Sequence, residues 1–225
     1  PDPYIVSALK YRPQKFSDVV GQQAITDTLE KAIDQNKLAQ ALLFCGPRGV
    51  GKTTCARILA KKINEGDQGN TEQDFAFNIF ELDAASNNSV DNIREITEAS
   101  RYRPASARYK VYILDEAHML SNAAFNALLK TLEEPPPHLK FIFATTESRK
   151  LPVTVLSRCQ RFDLRRVPPD RLAAHFGSIA EKEGARVEEE ALAMIARAAD
   201  GSVRDGLSLL DQGIALAEAD GLVTA

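Results

Sequence analysis

Tryptophan is absent from these 225 residues, and cysteine, methionine and histidine are scarce, at three, two and three copies. The cysteines, Cys45, Cys55 and Cys159, are scattered and odd in number, which excludes a disulfide framework and a cysteine metal module. They read as small apolar residues in a reducing cytoplasm. No apolar run approaches the ~20 residues that a membrane span needs, and no signal-peptide pattern is visible, so the expectation is a cytoplasmic protein with no membrane partner. Charge of neither sign dominates: 28 basic residues face 31 acidic ones, for a net charge of −3. Without a global basic field, any nucleic-acid contact has to come from a local patch. Internal repeats and low-complexity tracts are also missing. What remains has ordinary globular composition, long enough to bury a sizeable core in one large or two smaller domains.

The strongest signal is Ala41 to Thr54, an apolar strand followed by a glycine-rich turn and a helix start. Gly46, Gly51, Lys52 and Thr53 occupy the fixed positions of G-x-x-x-x-G-K-[ST], a phosphate-cradling loop whose remaining members are Pro47, Arg48, Gly49, Val50 and Thr54. Glycine is required because the backbone must wrap a triphosphate with its N–H groups pointing inward. The following helix adds the positive end of its dipole. Lys52 supplies a point charge for the β- and γ-phosphates of ATP, and the Thr53 hydroxyl is a ligand for Mg²⁺.

The second signal is Lys110 to Glu116, a buried apolar strand ending in two carboxylates. An open parallel sheet presents ligands at the carboxyl ends of its strands. Asp115 is placed to hold Mg²⁺, directly or through water, and Glu116 to polarise an attacking water. His118 and Met119 read as packing or supporting residues.

Elsewhere the chain offers alternatives. Residues 4–23 are non-periodic and precede a helix over Gln22–Lys37; they either pack as an arm on the core or close over a base, with Tyr11, Pro13, Val19 and Val20 forming an apolar slot. Asn64–Asp74 reads as an exposed loop. Ser89 and Ser121 cap helices, the second running to Glu134 before Pro135. Arg94, Arg101, Arg103 and Arg108 form either a solvated face or a phosphate-backbone patch. A threonine after the strand near 140–146 either bonds to backbone or senses the γ-phosphate.

Strands near 41–45, 79–83, 110–116, 140–146 and 161–165, separated by helices, predict an α/β fold: a five-stranded parallel αβα sandwich over residues 1–166. Beyond Arg166 no strand pattern remains, and helices near Pro169–Glu183, Glu188–Asp200 and Ser202–Ala219 predict a small all-helical lid over 167–225. Arg204, in the first turn of the last helix, is electrostatically misplaced unless it meets an anion.

Taken together, these runs resemble the AAA+ ATPase portion of the bacterial DNA polymerase III clamp-loader gamma/tau family. The carriers are Tyr11-Arg12-Pro13-Gln14, Val20-Gly21-Gln22, the loop from Gly46 to Thr54, Leu82 to Ser86, Leu114 to Leu120, Phe125 to Pro135, Ala144-Thr145-Thr146, Leu156 to Cys159 and Gly201 to Asp205. The resemblance implies that Thr146 is the sensor-1 residue, Arg204 the sensor-2 residue, and Arg158 an arginine finger reaching the nucleotide of a neighbouring subunit. It implies an ATPase that uses ATP and Mg²⁺ to load a sliding clamp onto primer-template DNA, within a pentamer that includes delta and delta-prime subunits. A non-hydrolysing stator would lack Lys52, Thr53 or Glu116, and a branch-migration helicase would lack the Ser157-Arg158-Cys159 run. The family's four-cysteine zinc module is missing between 64 and 78, so no zinc is expected. The family's collar domain is not part of this chain, which is therefore expected to be a monomer or weak oligomer and a poor ATPase by itself.

Overall fold

A computed structural model describes residues 3–65, 78–104, 108–217 and 222–225. Its centre is a parallel sheet of β1 (Ala41–Cys45), β2 (Ile79–Asp83), β3 (Lys110–Asp115), β4 (Leu139–Thr145) and β5 (Gln160–Asp163), in the spatial order β2-β3-β4-β1-β5. Every strand of this sheet runs the same way, so the loops that follow β1, β3 and β4 gather at one edge.

The side-chain alternation of β1 divides the core. Leu42 and Phe44 face α2 (Gln23–Asp34) and α3 (Lys52–Asn64), together with Val111, Ile113 and Ile142. Ala41, Leu43 and Cys45 face α4 (Val90–Ala99) and α5 (Asn122–Glu133), together with Tyr112, Leu114, Phe141 and Phe143. Both faces are covered, which is why the central strands β1, β3 and β4 read as mainly apolar runs. Each fully buried Leu, Ile or Phe contributes roughly 1.5–3 kcal/mol. The Cys55 and Cys159 thiols are pushed up to about 12 by burial, consistent with their reading as small apolar residues.

The helices end where local chemistry stops them. Ser89 and Asn92 form a reciprocal capping box on α4, and the Ser121 hydroxyl accepts the Ala124 N–H at the start of α5. α2 ends at Asp34 rather than Lys37, because Asn36 turns left-handed at φ 54°. Asn64 does not open an exposed loop. It is fully buried and bonds both backbone groups of Tyr109, at 3.2 and 2.8 Å, tying the end of α3 to the approach of β3. Glu65 is exposed, as expected, and the rest of that predicted loop, from 66 to 74, lies outside the described residues.

After β5 the chain crosses to three helices, α7 (Pro169–Lys182), α8 (Glu189–Ala199) and α9 (Val203–Ala215), packed around Leu172, Phe176, Ile179, Leu207 and Leu210. The lid is not purely helical: β6 (Arg186–Val187) pairs in parallel with β7 (Leu222–Val223). A two-residue bridge has no period to read, so pattern analysis cannot find it. The N-terminal segment holds a short helix, α1 (Ser7–Lys10), which docks on the lid. The Ser7 N–H donates to Asp211 at 2.8 Å, the Ser7 hydroxyl donates to the same carboxylate, and Lys10 pairs with Glu183 at 3.1 Å. A four-residue helix is not stable alone, so these contacts hold it.

Candidate nucleotide site

The Gly46–Thr54 loop leaves β1 at the sheet's carboxyl edge and enters α3. Gly46 (φ 154°) passes so close to β5 that a Cβ would lie 2.7 Å from the Leu164 carbonyl oxygen. Gly49 (φ 76°) faces the lid, where a Cβ would fall onto the Ser202 hydroxyl. Its carbonyl accepts the Val203 N–H at 3.0 Å and the Arg204 N–H at 3.3 Å, so the start of α9 is fastened to the loop. This seats Arg204 over the cavity. The expected placement at the head of the last helix holds, with the Ser202 hydroxyl capping that helix through the Asp205 N–H.

Lys52 is buried, and its Nζ donates to Gly46 O at 2.7 Å and Pro47 O at 2.6 Å. Burial pulls its pKa below the ordinary lysine value, Asp115 and Glu116 draw it back up, and Arg204 lowers it further. A buried ammonium among loop carbonyls, with two carboxylates close by, is a cation partly stripped of water and suited to an incoming anion.

β3 delivers Asp115, whose carboxylate accepts the Glu116 N–H at 2.9 Å. Glu116 adopts a left-handed conformation (φ 53°, ψ 42°), which costs a non-glycine residue roughly 1–2 kcal/mol. Strain of this kind persists where surroundings over-determine it, commonly at reacting centres. Here it turns the chain sharply off the strand, and Asp115 and Glu116 both line the cavity.

The cavity is about 380 Å³ and lies between sandwich and lid. Arg48, Gly49, Val50, Gly51, Lys52, Thr53 and Thr54 line it from the loop, Asp115 and Glu116 from β3, and Arg204 from α9. Tyr11, Pro13, Val19 and Val20 line it from the N-terminal segment, along with α1. That segment packs on the sandwich core through Phe16 and Val19 and on the lid through Ala8, Tyr11 and Val20, and it also lines one end of the cavity. Gly46 and Pro47 sit behind the wall and contribute the carbonyls that Lys52 holds.

Two predicted residues lie elsewhere. Thr146 follows β4, is exposed and does not line the cavity; the neighbouring Thr145 is buried and pairs with His118. Arg158 lies near Gln40 and Ala41, at the amino end of β1, bonding Glu133 at 3.1 Å and Thr154 O at 2.6 Å. β1 alone separates it from its own phosphate loop by about 13 Å, at 3.3 Å per residue. Among the arginines of the suspected phosphate patch, Arg94, Arg101 and Arg103 are exposed, and Arg94 faces Asp91 at 3.9 Å.

Sequence reasoning missed Gln22, Arg12 and Arg57. The buried Gln22 amide donates to Arg165 O at 2.6 Å and accepts the Arg165 N–H at 3.1 Å, fastening the N-terminal segment to the sandwich–lid crossing. Arg57 forms a bidentate pair with Glu81 at 2.7 and 2.5 Å, and Arg12 stands beside it with its pKa lowered by burial and then by the Arg57 charge. All of these depend on long-range pairing that no local pattern reports.

Residues 21–168 match a family model described as DNA polymerase III, delta subunit, and residues 171–219 match one described as DNA polymerase III clamp loader subunit, ATPase lid domain. The chain belongs to the DNA polymerase III clamp-loader family. This clamp-loader chain is 50% identical over 217 residues to DNA polymerase III subunit tau of Bacillus subtilis, covering 91% of the chain and 38% of that relative. It is 45% identical over 234 residues to subunit tau of Escherichia coli, covering 98% of the chain and 36% of the relative. It thus spans little more than a third of the length of these relatives. Among solved structures, the Thermotoga maritima RuvB Holliday junction branch migration motor superposes with a TM-score of 0.73 at 22% identity, over 95% of this chain and 69% of that one. At that identity the likeness is one of fold: the P-loop AAA+ sandwich followed by a helical lid.

Proposed function

We propose that this clamp-loader chain binds ATP with Mg²⁺ in the cavity between sandwich and lid and hydrolyses it to drive clamp loading. The observation carrying the reading is the convergence of Lys52, Thr53, Asp115, Glu116 and Arg204 on one 380 Å³ cavity, from the loop, β3 and α9. A buried ammonium, a hydroxyl and a carboxylate are the donor set that a magnesium triphosphate requires, and the left-handed glycines leave the space that a backbone cradle needs. Thr53 and Asp115 would hold the ion, which when bound neutralises charge on the phosphates. Lys52 exchanges loop carbonyls for phosphate oxygens. Glu116 orients the attacking water and accepts its proton. Arg204 meets the phosphates from the lid, and Tyr11, Pro13, Val19 and Val20 hold the base. On this reading residues 1–166 are the nucleotide-binding unit and 167–225 the lid.

Arg158 acts in trans. It lies at the far edge of its own sheet and stays partly solvent-accessible, which suits a planar cation offered to a neighbour's nucleotide. The assembled partners are the delta and delta-prime subunits, the sliding clamp and primer-template DNA. The test measures Mg·ATP binding and turnover for the full-length protein, alone and assembled with clamp and primed DNA. Arg158→Ala is expected to leave ATP affinity intact and to lower assembled turnover by about 10³. Loss of ATP affinity in the unassembled Arg158→Ala protein overturns the trans assignment.

A further inference from the structure

His118 follows the two carboxylates of β3 on a short turn, and its side chain is only 7% exposed. Its Nδ1 is 2.9 Å from the Thr145 hydroxyl at the end of β4. The same hydroxyl oxygen accepts the Glu147 N–H at 3.0 Å. The Thr145 O–H can donate to Nδ1, and the groups facing Nε2 are carboxylates that can only accept, an arrangement that suits the imidazole proton on Nε2. On that side lie two carboxylate oxygens at equal distance: Glu116 Oε2 and Glu147 Oε2, both at 3.5 Å. Glu147 Oε2 also faces Lys150 Nζ at 2.9 Å. The Lys150 ammonium, through its hydrogen bond and then its charge, holds the Glu147 carboxylate below its usual range.

One N–H cannot serve two carboxylates at full strength. We propose that His118 is a positioning residue for Glu116, dividing its single Nε2–H between Glu116 and Glu147. The turn that bears Glu147 and Lys150 thereby adjusts the carboxylate that activates water. Glu147 and Lys150 bracket the turn that leads through α6 (Val153–Leu156) to Arg158. A cation that draws Glu147 outward hands the N–H to Glu116; a cation withdrawn returns it. The inference rests on the reading of Glu116 as the residue acting on water.

The test uses the full-length protein in its assembly, with single-turnover ATP hydrolysis and ATP affinity measured separately. His118→Ala is expected to slow hydrolysis by about 10- to 100-fold, the lower part of the range for a misplaced acid–base group, with ATP affinity within about twofold. His118→Gln, which keeps an N–H donor near the Nε2 position, is expected to recover most of the rate. Glu147→Gln is expected to change the rate in the wild-type background and to have no effect beside His118→Ala, because residues that share one donor are non-additive. Equal losses of rate and affinity in His118→Ala, a glutamine variant as slow as the alanine one, or additive effects of the two sites overturn the proposal. Ring ¹⁵N shifts of His118 in the free protein give a readout independent of turnover: the Nε2–H tautomer supports the proposal and the Nδ1–H tautomer defeats it. Glu116→Gln separates the two levels. If it leaves hydrolysis intact, the water-activating reading fails and takes this inference with it. If it abolishes hydrolysis while His118→Ala does nothing, the inference alone fails.

Discussion

Two buried lysines sit at opposite edges of the same sheet and make nearly the same bonds. At the carboxyl edge, Lys52 donates to Gly46 O and Pro47 O at 2.7 and 2.6 Å. At the amino edge, Lys140 donates to Leu38 O and Ala39 O, both at 3.0 Å. Burial lowers the pKa of each. Their surroundings differ. Lys52 opens onto a cavity of about 380 Å³ with Asp115 and Glu116 nearby, whereas Lys140 meets only a small one of about 90 Å³, lies over the Tyr109 ring, 5.2 Å from its centre, and no carboxylate contributes to its shift. A buried ammonium bonded to carbonyls is therefore not in itself a site. Space beside it, and countercharges that keep it protonated, turn a staple into a receptor.

This contrast can be broken in three places. The largest expected effect is Lys52→Ala, which removes charge-assisted bonds to phosphate worth about 3 kcal/mol and should weaken ATP binding about 100-fold in a titration, with a loss of stability no larger than that of freeing two loop carbonyls, about 1–3 kcal/mol. Retained affinity with a lowered melting temperature would make Lys52 a staple too. Next comes Lys140→Met, which orphans two carbonyls and should cost about 1–3 kcal/mol in denaturant unfolding while sparing ATP affinity. If ATP affinity falls with it, the two edges are coupled. The smallest effect is in pH. The folded-state pKa of Lys140 lies below its unfolded value, so the unfolded chain binds more protons between the two, and stability rises with pH across that interval. The burial penalty is complete below the folded pKa and gone above the unfolded one. Lys140→Met lacks this rise, so its deficit against wild type should widen from neutral to alkaline pH in parallel melts.

The same contrast shows how far sequence alone reaches. The loop from Gly46 to Thr54 and the acidic end of β3 are each contiguous, so the chemistry of each is written in its own short stretch of chain, and the cavity brings the two together. β1 and β2 lie at the predicted residues because apolar runs bounded by turn residues are local signals. Lys140, inside an apolar strand, carries no sign that it will reach back to Leu38 and Ala39, 102 and 101 residues away. The docking of α1 on the lid, the grip of Gln22 on Arg165 and the pairing of His118 with Thr145 are similarly non-local. Of the adjacent threonines, sequence singled out Thr146, whereas burial and bonding fall on Thr145. Alternation along a strand decides which neighbour points inward, and at a strand's last residue the register is hardest to read.

The fastening of α9 to the Gly49 carbonyl has a mechanical corollary. A trans peptide is a rigid plate with its oxygen and its hydrogen on opposite sides. The plate joining Gly49 to Val50 offers its oxygen to the lid, so the Val50 hydrogen faces the other way. Any anion that makes this plate swivel to meet it pulls on the lid's two attachments in the same motion. The lid's two attachments and the loop's Val50 amide are thus opposite sides of one rigid plate, with no side chain in between.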